Sequence, residues 1–199
     1  ATLATARTGR HKRVVAIFQP HRYTRTQGLK EEFGRAFDLA DHVFVADIYP
    51  ASEKPIPGIS GQTVVNAMIA HGHPSAVHVA DLNKIHQAAA SVLEDGDLII
   101  TLGAGNIHEA AKCIAKDLQI KSRLQGIMRE GTIRLYEPLS KHTTMRIGGP
   151  AQYWVEPETE EGFAEVGDML ISECKAGVVF VGLDEDKEIV GRITGRMKH

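Results

Sequence analysis

The chain has almost no excess charge of either sign, little cysteine, few aromatics and no long apolar run. Its net charge is −2 at pH 7. Sequence-independent nucleic-acid binding needs a basic face, so that class of partner is not indicated. No run approaches the roughly 20 apolar residues of a membrane-spanning helix. The opening stretch, Ala1 to Arg10, lacks the apolar core of a signal peptide and reads as a helix end and loop. Cys113 and Cys174 stand too far apart in sequence for a metal or redox spacing. Cys113 falls on the apolar side of a predicted helix, which predicts a buried thiol and fits a reducing cytoplasm. The closest histidine pair, His71 and His73, lies in a Gly/Pro-containing turn without a third ligand nearby, which argues against a metal. No Gly-x-x-x-x-Gly-Lys-Ser/Thr loop occurs, so any ATP-driven chemistry must draw its triphosphate machinery from elsewhere. No Ser-His-Asp or Cys-His set stands in recognisable context, and no nucleophile is assigned.

What is present is an alternation of strand and helix signals over residues 1–120. Val14–Phe18, His42–Ile48, Ala76–Ala80 and Asp97–Leu102 are short, apolar and β-branched, as buried parallel strands are. Between and after them run four apolar stripes at helical spacing. They are Leu29/Phe33/Ala36/Phe37, Val65/Met68/Ile69, Ile85/Ala89/Val92/Leu93 and Ile107/Ala110/Ala111/Ile114/Leu118. Thr24 with Gln27, and Asn106 with Glu109, have capping-box spacing, and Asp81 can cap the third helix. This order implies an α/β fold with a mostly parallel sheet and helices on both faces. Residues 121–138 are charged and without clear period, and read as a linker or terminal helix. A small α+β tail follows over 139–199. Gly148-Gly-Pro150 predicts a turn, Ala151–Val155 a strand, and Pro157–Glu161 opens a helix with Phe163, Val166 and Leu170 on one side. Gly177–Val181 predicts a last strand, followed by the charged run Asp184–Glu188.

Three loops carry candidate chemistry. Phe18-Gln-Pro-His-Arg-Tyr-Thr-Arg25 follows the first strand, where ligands bind in open α/β sheets. Arg22 and Arg25 suit a carboxylate or phosphate, with His21 beside them. Pro20 stiffens the exit from the strand. The alternative is a solvated basic loop. Tyr49–Gly61, with three prolines and two glycines, cannot be a helix or a central strand. It is either a functional loop or a long connection. Gly103-Ala-Gly105-Asn-Ile-His108 is a partial dinucleotide fingerprint with His108 at the third glycine position. It serves either an anion at a helix N-terminus or close strand–helix packing capped by Asn106.

Together with Asp47-Ile-Tyr-Pro-Ala51, Pro55-Ile-Pro-Gly-Ile-Ser-Gly61 and Thr101-Leu-Gly-Ala-Gly-Asn-Ile107, the first of these loops resembles the C-terminal domain of the Mur ligases that join L-alanine to UDP-N-acetylmuramate. The resemblance covers roughly residues 1–118. It implies a cytoplasmic enzyme of bacterial peptidoglycan synthesis with a UDP-sugar domain, a central ATPase and a Rossmann-like C-terminal domain that closes over the amino acid. It also implies that His21, Arg22 and Arg25, then Tyr49 and Asn106, contact substrate. ATP and Mg would be bound mainly outside these residues, and the chain by itself would not catalyse ligation. A second stretch, Leu139-Ser-Lys-His-Thr-Thr-Met-Arg-Ile-Gly-Gly-Pro-Ala-Gln-Tyr-Trp-Val-Glu-Pro157, resembles the start of UDP-N-acetylenolpyruvoylglucosamine reductases. That implies a ligase–reductase fusion with an incomplete FAD-binding segment. Val181-Gly-Leu-Asp-Glu-Asp-Lys187 stands where a Gly-rich flavin loop is expected, and its carboxylates would repel a pyrophosphate, which argues against FAD. The alternatives to a ligase domain are a dinucleotide-binding domain built on Gly103–Ile107 and a non-catalytic module docking on cell-wall enzymes.

Overall fold

The structure, a computed structural model, describes residues 2–175 and 177–179. The chain divides into two compact units, Ala1–Ala115 and Lys116–His199. In the first, helix α1 (Thr2–Arg7) precedes β1 (Val14–Gln19), α2 (Tyr23–Gly28), α3 (Lys30–Ala36), β2 (His42–Ala46), α4 (Gly61–Ala70), β3 (Ala76–Val79), α5 (Leu82–Ala90) and β4 (Leu98–Gly103). Helix α6 (His108–Met128) begins in this unit. The four strands form one parallel sheet in the order β3-β2-β1-β4, as the alternating pattern predicts.

Strand geometry sends successive side chains to opposite faces, and β1 is buried at all six positions. Val14, Ala16 and Phe18 share one face with Val43 and Val45 of β2. Leu3 and Ala6 of α1, Phe33 of α3, and Val64, Val65 and Met68 of α4 cover that face. Val15 and Ile17 point the other way, where α5 packs with Ile85 and Ala89 buried. The predicted stripes therefore find the sheet, with local differences. The first stripe is broken at Leu29 into α2 and α3, and Phe37 lies just past α3. Ile69 is exposed, and Val92 and Leu93 fall beyond the end of α5. Asp81 caps α5 as expected, accepting from the Asn83 N–H at 3.0 Å.

The amino edge of the sheet pairs its own charges. Asp97, just before β4, accepts from Arg13 Nε at 2.9 Å, Arg13 Nη2 at 2.6 Å and the Glu94 N–H at 2.9 Å. Burial pushes the Asp97 carboxyl up, but these hydrogen bonds and the guanidinium charge outweigh it and hold it below its ordinary value. Asp41, just before β2, similarly takes the Val14 N–H at 2.6 Å and Arg7 at 2.7 Å.

In the second unit, β5 (Gly131–Pro138) and β6 (Pro150–Pro157) form an antiparallel pair, followed by α7 (Glu160–Ser172). Where a linker or terminal helix is expected over 121–138, α6 continues to Met128 and Gly131–Pro138 is a strand. Its alternation of buried Ile133 and Leu135 with polar Thr132 and Arg134 becomes decisive only once β6 is there to pair with it. Thr159 caps α7 through the Gly162 N–H at 3.0 Å. Val166, Met169 and Leu170 then pack with Leu124, Met128 and Ile133. Phe163, expected on this stripe, is only half-buried. The expected strand at Gly177–Val181 runs out of the described residues, whose last three are not in a strand. Asp184–Glu188 and the stretch Val181–Lys187 lie outside them. Cys113 is exposed, not buried: Ile114 takes the inward position and turns its neighbour outward.

Candidate functional site

The carboxyl edge of the sheet differs from the amino edge in its free cations. Chain leaving β1 does not separate from chain leaving β2. The Tyr49 N–H donates to the Pro20 carbonyl at 2.8 Å, and the Arg22 N–H donates to the Tyr49 carbonyl at 2.9 Å. His21 and Tyr49 thus extend the parallel pairing past the strand ends. Their rings stack with centroids 5.9 Å apart and planes 11° from parallel.

This zipper fixes Arg22 in an unusual backbone conformation, φ 68° and ψ 138°. A non-glycine residue held there costs on the order of 1–3 kcal/mol, and such strain clusters at functional sites. The Arg22 carbonyl is doubly used, accepting from Thr26 N at 3.1 Å and from the fully buried Thr26 Oγ1 at 2.8 Å. Arg25 stands three residues on, within the helix that Arg22 precedes. Both arginines are exposed. Among the described residues neither guanidinium makes a hydrogen bond or ion pair, unlike Arg7 and Arg13 at the other edge.

The β4–α6 turn closes the other side of this edge. Gln19 at the end of β1 pairs with Gly103 at the end of β4. Its side chain is buried, with Nε2 3.4 Å from Asn106 Oδ1 and Oε1 without a hydrogen-bond partner among the described residues. Gly105 lies directly over that amide. A Cβ there would stand 2.4 Å from Gln19 Oε1 and 2.8 Å from Tyr49 Cδ2. The loops after β1, β2 and β4 therefore meet around Gln19, at the point where strand order reverses between β1 and β4. A Gly105→Ala change must displace Tyr49 or Gln19. We expect at least a fivefold loss in whatever small-molecule affinity this edge carries, with a melting temperature within a few degrees of wild type. Equal affinity in a titration would dissociate the turn from the site.

Sequence reasoning assigned His21, Arg22, Arg25, Tyr49 and Asn106. His21, Arg22 and Tyr49 are joined directly, and Asn106 is tied in through Gln19. Gln19 and Glu53 were missed. The signal for Gln19 was a polar residue ending an apolar strand between Phe18 and Pro20. Glu53 had no local signal, because its partner lies across the fold. Two expected capping boxes are not formed. Thr24 is not the cap of α2: its hydroxyl donates to Glu53 at 2.6 Å, and the N-cap residue is Arg22, which makes no side-chain cap bond. Asn106 turns to Gln19, while Glu109 pairs with Lys112 and His108, each at 2.8 Å, instead of reaching back. Long-range partners outbid the local ones in both cases.

The His71–Gly–His73 turn is structural. Nε2 of the buried His73 stands 3.0 Å from the Ala40 carbonyl and 3.2 Å from the Phe37 carbonyl. Among the described residues no group of three or more His, Cys, Asp or Glu is arranged to hold a metal ion, and no helix is long and apolar enough to cross a membrane.

The family described as Mur ligase, glutamate ligase domain, matches residues 1–105. Relatives named UDP-N-acetylmuramate–L-alanine ligase match about three fifths of the chain. The protein of Syntrophotalea carbinolica is 45% identical over 118 residues, 59% of this chain and 26% of its own length. That of Geotalea daltonii is 44% identical over 119 residues, 60% of this chain and 26% of its own. That of Solibacter usitatus is 42% identical over 123 residues, 62% and 26%. The chain thus spans about a quarter of the length of the curated relatives it matches.

Proposed function

The chain belongs to the Mur ligase family through its glutamate ligase domain, and from that membership we propose that its first unit is the amino-acid-binding domain of an ATP-dependent, cytoplasmic ligase joining L-alanine to UDP-N-acetylmuramate in peptidoglycan synthesis. The observation that carries this reading is the pair of exposed guanidiniums, Arg22 and Arg25, which make no hydrogen bond or ion pair among the described residues at the carboxyl edge of a parallel sheet.

L-Alanine offers a carboxylate, an amine and a methyl group. The amine has to be free to attack an activated carboxyl carbon, so the carboxylate is the handle. Arg22 and Arg25 grip it or a neighbouring anion through charged hydrogen bonds. His21, stacked on Tyr49, lines the same edge, and Asn106 approaches from the β4 side. The domain's contribution is positioning, which converts an encounter into an intramolecular attack. The sequence carries no Gly-x-x-x-x-Gly-Lys-Ser/Thr loop to cradle a triphosphate. ATP and Mg would accordingly be held mainly by other domains of the ligase. Purified as these 199 residues, the protein should release ADP at background rate when mixed with ATP, Mg, UDP-N-acetylmuramate and L-alanine. Sustained turnover by the pure chain would overturn the assignment.

For the second unit we propose, from the Leu139–Pro157 motif, an incomplete reductase-like segment, and from the carboxylates of the Val181–Lys187 stretch, that it does not hold flavin. The purified protein incubated with FAD and desalted should show no 450 nm absorbance.

A further inference from the structure

Helix α2, which carries Arg25 and begins at Arg22, has only six residues and no side-chain cap of its own. A free first turn of that length frays, because its amide donors have no partner inside the helix. Here a residue 29 positions away supplies one. Glu53, in the loop between β2 and α4, accepts from the Thr24 N–H at 3.0 Å through Oε2 and from the Thr24 hydroxyl at 2.6 Å through Oε1. The Thr24 hydroxyl, the Thr24 N–H and, more weakly, the Tyr23 N–H and the Arg22 charge hold its carboxyl below the ordinary range, so it is ionised at neutral pH. Glu53 follows a tight turn, its N–H donating to the Pro50 carbonyl at 2.9 Å. Ala51 and Ser52, immediately before Glu53, both have positive φ, 46° and 71°, a conformation that L-residues adopt only under constraint.

We propose that Glu53 is a positioning residue for the amino-acid site: it caps α2 from a distance, and so fixes the backbone from which Arg22 and Arg25 reach the substrate carboxylate. The inference rests on the amino-acid reading given above. It also gives the stiff Tyr49–Gly61 loop a task beyond connection. The competing role for the same carboxylate is electrostatic. An anion beside Arg22 could simply weaken the grip of Arg22 on another anion.

Two substitutions separate these roles. In Glu53→Gln the charge is lost, but the carboxamide oxygen can still accept from the Thr24 N–H, and its NH2 can donate to the Thr24 hydroxyl. In Glu53→Ala both bonds go. On the 199-residue chain, hydrogen exchange at the Thr24 and Thr26 amides should quicken at least tenfold in Glu53→Ala and less than threefold in Glu53→Gln. In the full-length ligase carrying these residues, Glu53→Ala should raise the KM for L-alanine about tenfold. The KM for ATP should stay unchanged, and Glu53→Gln should remain within threefold of wild type. A KM for L-alanine that is unchanged or lower in Glu53→Ala overturns the inference, as does equal amide exchange in all three proteins. Should Glu53→Ala fail to fold, Glu53→Asp, one methylene too short to span both Thr24 bonds, carries the same expectations. Arg22→Ala, measured in parallel, keeps the failures apart. If its KM for L-alanine is raised while that of Glu53→Ala is not, only the role of Glu53 is lost. If its KM is unchanged, the amino-acid reading falls and the Glu53 inference with it.

Discussion

On the amino-acid-binding function proposed above, Arg22→Ala in the full-length ligase should raise the KM for L-alanine at least tenfold while leaving the far-UV spectrum unchanged. The magnitude follows from the chemistry of the proposed contact. A hydrogen bond between charged partners contributes about 1.5–3 kcal/mol, and ~1.4 kcal/mol is tenfold in affinity. The fold is spared because the side chain is exposed and, among the described residues, touches no ion-pair partner. Alanine has the same difficulty as arginine with a positive φ, so backbone strain does not change sign. Arg22→Lys should fall between wild type and alanine, since lysine keeps the charge and loses the planar fork. Initial rates of phosphate release against L-alanine concentration measure all three. An Arg22→Ala enzyme with wild-type KM would remove this residue from the site.

Asp117→Ala should destabilise the second unit by about 3 kcal/mol or more, the largest stability effect expected here. Asp117 is 3% exposed. Its carboxylate accepts from the Tyr136 hydroxyl at 2.7 Å, the Tyr153 hydroxyl at 2.8 Å and Gln152 Nε2 at 3.0 Å. A buried carboxylate persists only when such donors replace its water. Truncating it deprives all three donors of their acceptor, at about 1–3 kcal/mol each when no other partner is found. Burial, then the Asp117 carboxylate, push the Tyr153 hydroxyl well above the ordinary tyrosine range, so it stays a donor throughout the accessible pH range. In a unit of this size each kcal/mol moves the midpoint by roughly 4–8 °C. The transition of the second unit should therefore fall by more than ~10 °C. Trp154, the single tryptophan of the chain, lies in β6 with the His142 ring stacked 4.0 Å away, so its fluorescence reports this unit. Asp117→Asn keeps one acceptor and should lose less. A midpoint within ~3 °C of wild type in Asp117→Ala would show that the cluster is not structural.

The two units were legible to different degrees. In the first, each strand was visible as a short β-branched run, because parallel strands covered by helices are mostly apolar: β1 is buried at all six positions and apolar up to its last residue, Gln19. In the second, β5 was invisible. An antiparallel strand with one wet face carries half the signal, and Arg134 and Glu137 obscured it. The misplaced caps share a cause. Thr24 and Asn106 have the right spacing for local partners, but Glu53 and Gln19 reach them first across 29 and 87 residues. Cys113 was misjudged because a helical stripe fixes a face only to within one residue.

By itself the sequence determined the strand–helix alternation, the parallel sheet and the loop on which cations collect, since hydrophobic period and Pro/Gly punctuation are local properties of the chain. Tertiary structure alone decided how those cations are held: Tyr49 pairing backbone to backbone with Arg22, Glu53 capping a helix it does not belong to, Gln19 buried beneath a glycine. These are contacts between residues distant in sequence, and a local pattern contains no term for them.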